Sequence, residues 1–308
     1  MFLTKEKPEP AKDPDIIVVG GGKGGVGKSC IAVNMAVEIA RRGWRVVIVD
    51  ADLGCSNVET LLGMPSGSPL DDYFFEGEEA SLNAMIVPTP YENLSIVPGA
   101  TGLLEATAPG DAHLKRFRNA IGNLDADVVV VDLDAGTRRD TLDLFLMASA
   151  SGMIVTTPEK TSMDNAFKFV RAVLFRKIEL FYKSPEVGQL LRYNETLPDF
   201  LASVEGCSAF ERPIRDRIVN EVRALADSIK PRIVVNRARN GYEAMVASNI
   251  VSKYIRNYLL IEPDMVGYVL FDKRIPEAVN SGKPFVVKLP KHKVTRNIST
   301  ISNRLGYF

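Results

Sequence analysis

One ten-residue segment constrains this chain more than any other: Gly20-Gly21-Gly22-Lys23-Gly24-Gly25-Val26-Gly27-Lys28-Ser29. It lies between a β-branched run, Asp15 to Gly20, and a stretch of helical periodicity from Lys28 to about Arg42 that Gly43 stops. Gly22 to Ser29 fits G-x-x-x-x-G-K-[ST], which a chain of this length meets by chance on the order of 1 time in 100. The residue types have physical reasons. Glycines let the backbone wrap closely around a phosphate with successive N–H groups turned inward. The following helix presents its N-terminal dipole to the anion. Lys28 has the reach for β- and γ-phosphates, and the Ser29 hydroxyl can ligate Mg²⁺.

The rest of the chain repeats the strand–helix alternation. Arg45 to Asp50, Leu94 to Val97, Asp127 to Asp132, Gly152 to Thr156, Pro231 to Asn236 and Met265 to Val269 read as strands. Asp111 to Gly122, Thr141 to Ala148 and Ser162 to Tyr182 read as helices. Short apolar runs without polar alternation suit strands covered on both faces. The expected fold is therefore α/β, a largely parallel central sheet with helices on both faces. Lys183 to Lys230 carries helical patterns (Glu186 to Tyr193, Ile214 to Ile229) and no convincing strand, so it reads as a helical insertion within one domain spanning residues 15–308.

Composition narrows the function classes. Lys+Arg and Asp+Glu both number 38 in 308 residues, so overall charge does not call for nucleic acid. Cys30, Cys55 and Cys207 form no C-x-x-C pair, and a reducing, cytoplasmic setting fits them. Cys30 and Cys55 read as small apolar packing groups, without the convergence of thiolates that an iron–sulfur carrier needs. No stretch approaches the roughly 18 apolar residues that span a bilayer. Residues 1–14, charged and proline-rich, read as a loose tail without a secretory core.

Lys23-Gly24-Gly25-Val26-Gly27-Lys28-Ser29 resembles the deviant Walker A motif of the MinD/ParA group of P-loop ATPases. The resemblance implies that Gly22 to Cys30 bind ATP, that Lys28 and Lys23 are catalytic, and that Lys23 reaches a partner's nucleotide across an ATP-bound homodimer. Asp50-Ala51-Asp52-Leu53-Gly54, continued by Asn57, resembles the group's switch I. It implies that Asp52 positions the attacking water and that Asp50, with Ser29 and Asp132, serves the Mg²⁺ shell. Asp132-Leu133-Asp134-Ala135-Gly136-Thr137 resembles switch II, except that Asp134 stands where Gly or Pro is usual. Thr156 to Ser162 matches the group's T-x-P-E segment, Asn236 its adenine-recognising Asn, and Arg237 is expected beside the base. The wording of residues 132–171 is nearest to MinD-like proteins that include FlhG (FleN).

Three activities follow from such a switch: a MinD/FlhG-like regulator of position or assembly, a ParA-like DNA partition ATPase, and an iron–sulfur carrier or ATP-dependent synthetase. The first is favoured, with a protein partner that accelerates slow hydrolysis. DNA binding would need a basic face, for which Arg232, Arg237, Arg239, Lys253 and Arg256 are the candidates; a solvated helix face is the simpler reading. Val294, Ile298, Ile301, Leu305 and Phe308 recur at helical spacing beside basic residues. This reads as a core-packing last helix, the alternative being a peripheral contact with the inner membrane face.

Overall fold

Valine and isoleucine dominate the strands because both faces of the sheet are covered. In the computed structural model, which describes residues 13–54, 56–65, 70, 73–74, 80–100, 111–148 and 152–308, strand residues alternate between two buried cores. Val128 and Val130 turn to one side, Val129 and Val131 to the other. A strand that is apolar at every position is what such a two-sided environment selects. Residues 1–12 of the expected tail, and Cys55, lie outside the described residues.

The strands are β1 (Asp15–Gly20), β2 (Val46–Ala51), β3 (Val87–Pro88), β4 (Leu94–Val97), β5 (Val128–Leu133), β6 (Met153–Thr156), β7 (Arg232–Ala238) and β8 (Asp264–Leu270). They form one sheet in the order β3-β4-β2-β5-β1-β6-β7-β8. Every pairing is parallel except β3 with β4. The strand that feeds the glycine-rich segment is therefore central, between β5 and β6.

One face carries α1 (Lys28–Ala40), α2 (Val58–Leu62), α10 (Arg274–Asn280), α11 (Phe285–Lys288) and α12 (Lys293–Arg304). The other carries α3 (Asp111–Gly122), α4 (Arg139–Phe145), α5 (Lys160–Tyr182), α6 (Pro185–Tyr193), α7 (Leu197–Gly206), α8 (Arg212–Asp227) and α9 (Gly241–Leu259). Residues 183–230 supply α6 to α8 and no strand; Val187, Leu191, Phe200, Val204 and Val222 bury against the α5 side. Ser184 and Thr196 cap α6 and α7 by accepting from Val187 N–H and Asp199 N–H, with proline in each first turn.

The last helix is part of the core. Val294, Ile298, Ile301 and Leu305 are buried against β8 and α1. A Cβ at Gly267 in β8 would lie 2.5 Å from Ile301 Cγ1, so only glycine admits this close approach. The apolar row differs from the sequence expectation at its end, where Tyr307 is buried and Phe308 is half exposed. Tyr307 Oη donates to Asp15 Oδ2 at 2.6 Å and its ring meets Trp44 edge-on at 5.5 Å. No helix among the described residues is long and apolar enough to cross a membrane.

Candidate functional site

Strand register assembles the site. Val19 of β1 pairs with Asp132 of β5, and Asp132 pairs with Asp50 of β2, so two carboxylates sit side by side at the carboxyl ends of central strands. The glycine-rich loop leaves β1 beside them and enters α1 at Lys28. This is where parallel α/β sheets place their ligands. Gly27 is the N-cap of α1 with φ +95°, in the left-handed region. A Cβ there would also lie 2.3 Å from Asn236 Nδ2, so the position needs glycine twice over.

A cavity of about 590 Å³ opens over the loop. Gly24, Gly25, Gly27, Lys28, Ser29 and Cys30 line one wall. Asp52 and Asp134 stand on the switch side, and Asn236, Arg237, Phe271 and Ile275 opposite. Lys28 is buried, and so holds its stem inside the loop. Cys30 is half-buried at the cavity wall; burial pushes its thiol up to about 12, against a smaller downward pull from Arg237, so the thiol stays neutral.

Asp132 is buried. Burial raises its pKa, the neighbouring charge of Asp50 raises it further, and the Ser29 hydroxyl bond and Lys28 pull it down. One of its oxygens accepts from Ser29, while Oδ1 is buried without a hydrogen-bond partner. An orphaned carboxylate oxygen beside a hydroxyl is the donor chemistry a hard divalent cation takes, the remaining ligands being phosphate oxygens and water. Ser29 and Asp132 therefore fit Mg²⁺. No group of three or more His, Cys, Asp or Glu side chains suited to a metal occurs among the described residues.

Asp50 does different work. Oδ1 accepts from Asp52 N–H at 3.1 Å; Oδ2 accepts from Ser56 Oγ at 2.7 Å, Asn57 N–H at 3.0 Å and Val58 N–H at 3.1 Å. Burial lifts its pKa to about 6 against these four bonds. Its carboxylate thus wraps the loop 51–58 around itself, which shapes the turn carrying Asp52.

Switch II touches the phosphate loop directly, Gly136 N–H donating to Gly21 O at 3.2 Å. The Asp134 carboxylate folds back to accept from the Ala135 N–H, turned to its own backbone. On the far side, β7 slips register between Val235 and Ala238, and Arg237 takes φ +57°. The irregularity aims Asn236 at the loop: Nδ2 donates to Val26 O at 2.8 Å and Oδ1 accepts from Arg237 N–H at 2.8 Å. One N–H and one lone pair of that amide remain for a base edge.

Lys23 is held within its own chain. Its Nζ donates to Glu159 Oε2 and to Thr161 Oγ1, each at 3.1 Å, at the entry to α5. Sequence reasoning missed this pair, because 136 residues separate the partners; the T-x-P-E match marked the segment without marking its use.

A glycine-rich loop at the end of a central parallel strand, with a buried lysine followed by serine and a buried strand-end carboxylate, defines a P-loop NTPase. The ParA family model, described as the NUBPL iron-transfer P-loop NTPases, matches residues 13–181, more than half of the chain. The antiactivator FleN of Pseudomonas aeruginosa is 31% identical over 229 residues, 69% of this chain and 79% of FleN. The flagellum site-determining protein YlxH of Helicobacter pylori is 30% identical over 219 residues, 65% of this chain and 73% of YlxH. Among solved structures, the septum site-determining protein MinD of Pyrococcus horikoshii, complexed with Mg-ADP, superposes with a TM-score of 0.64 at 19% identity, covering 95% of this chain and 96% of that one. The chain belongs to the ParA/MinD family of P-loop NTPases.

Proposed function

We infer that the protein is an ATP-binding, ATP-hydrolysing switch of the cytoplasm that dimerises with ATP bound and governs the position or assembly of a cellular structure. The observation that carries the nucleotide chemistry is the buried carboxylate of Asp132, with its unpartnered Oδ1, beside Ser29 and beneath a loop that encloses Lys28. The positioning role rests on relatives named for site determination and on FleN. The partition reading is weakened by the candidate basic residues themselves: Arg239 pairs with Glu243 and Arg256 with Glu262.

The chain's own groups divide the work. Backbone N–H groups of the loop and the Lys28 ammonium hold the β- and γ-phosphates. Ser29 and Asp132 hold Mg²⁺, whose charge, when bound, offsets that of the phosphates. Asp52, on the turn that Asp50 organises, orients the attacking water. Asn236 and Arg237 take the adenine.

Lys23 has to exchange Glu159 for the phosphates of a second subunit's nucleotide. Light scattering with a slowly hydrolysed ATP analogue and Mg²⁺ is expected to show dimers for the wild type and monomers for Lys23→Ala. Equal dimerisation of the two would refute the role of Lys23 in trans.

Asp134 sits where a second negative charge near triphosphate would cost about 1 to 4 kcal/mol at effective surface dielectrics. Its turn toward Ala135 avoids that cost, and hydrolysis then waits on a partner protein that moves switch II. Asp134→Gly is expected to keep ATP affinity within a few-fold and turnover equal or higher. Loss of Mg²⁺-dependent ATP binding in that variant would place the carboxylate in the metal site instead.

A further inference from the structure

The outer face of α9 carries an exposed apolar row between polar residues. Tyr242, Val246, Ile250, Tyr254 and Tyr258 form a row at steps of four, with Met245 beside it, all more than a third exposed. At its lower end Tyr254 and Tyr258 stack at 5.8 Å and enclose Phe167 of α5 at 6.1 and 6.0 Å. Aromatic side chains present roughly 150–250 Å² each, so the open stripe amounts to on the order of 500 Å². Patches of that size on monomers are commonly functional. No residue of α9 lines the nucleotide cavity.

We propose that this stripe is a self-association surface, on which a second copy of the chain lays its own α9 antiparallel about a twofold axis at Ile250. The row reads nearly the same in both directions, tyrosine at each end and isoleucine at the centre, as an isologous contact requires. A row at i, i+4 is one of the ridges by which helices interdigitate. Antiparallel pairing opposes the two helix dipoles. The area sets the strength. Two stripes bury on the order of 1,000 Å², the threshold for a specific interface, so the dimer is weak, concentration-dependent and in the micromolar range. An anionic membrane fits less well, because Asn249 and Asn257 are exposed on the same helix and Glu262 pairs with Arg256 at its end.

The test is sedimentation velocity without nucleotide from about 1 to 100 µM, a span that brackets a micromolar Kd. Using the full chain carrying Lys28→Ala keeps the result independent of nucleotide-driven dimerisation. The proposal expects a reversible monomer–dimer shift that Ile250→Asp or Tyr254→Asp weakens at least about tenfold. Both side chains are exposed, so circular dichroism is expected to show the fold intact. A monomer throughout, or association that survives both substitutions, overturns it. So does stripe-dependent cosedimentation with phosphatidylglycerol vesicles without self-association, which would assign the surface to membrane.

Discussion

Replacing Lys28 with alanine is expected to weaken ATP binding roughly 100-fold or more. Lys28 is buried in the loop, and on the function proposed above its ammonium holds phosphate away from bulk water. Removing one partner of such a desolvated charge pair costs about 3 kcal/mol or more, because the other charge is left unpaired. Calorimetric titration with ATP and Mg²⁺ measures the effect. The helix dipole and backbone N–H groups remain, so weak residual binding is expected rather than none. Unchanged affinity would sink the nucleotide assignment. Circular dichroism distinguishes lost binding from lost structure.

Deleting residues 294–308 is expected to abolish the fold. Val294, Ile298, Ile301, Leu305 and Tyr307 are all buried, and each contributes about 1.5–3 kcal/mol of transfer free energy. Their loss rivals the whole net stability of a typical domain, about 5–15 kcal/mol. Ile298→Asp, which buries a charge at the same interface, is the milder version and should lower the melting temperature sharply without removing any backbone. The competing membrane reading makes the opposite forecast: unchanged melting and loss of liposome binding. That outcome would show that the helix leaves the core.

The same helix illustrates what was legible in the amino-acid order. Its apolar spacing, the β-branched runs of β1, β2 and β5, and the glycine-rich loop all arise from local patterns, and local patterns survive in sequence. β1, β4 and α3 begin and end where the sequence places them. The α9 helix was less legible for a physical reason: it carries an apolar row on its outer face as well as its inner one, so the 3.6-residue contrast that marks a surface helix is blurred. The two-residue strand β3 carries almost no signal of its own, since its pairing with β4 is what makes it a strand. In the site, Lys28, Ser29 and Asp132 converge as their motifs imply. The four donors around Asp50, the grip of Asn236 on Val26 and the hold of Glu159 on Lys23 depend on side-chain direction and on partners far away in the chain. No local pattern encodes those.

The tie between Tyr307 and Asp15 has a consequence for how the fold closes. β1 is central, and its neighbours, β5 and β6, follow it by more than a hundred residues along the chain. α12, which seals β8 and α1, comes later still. The phosphate loop therefore depends for its surroundings on segments that lie far along the chain from it. Contacts so distant in sequence close slowly, and unpaired valine-rich strands are exposed meanwhile. A chain that lacks the residues from 294 onward should thus be protease-sensitive and, on the function proposed above, unable to retain ATP.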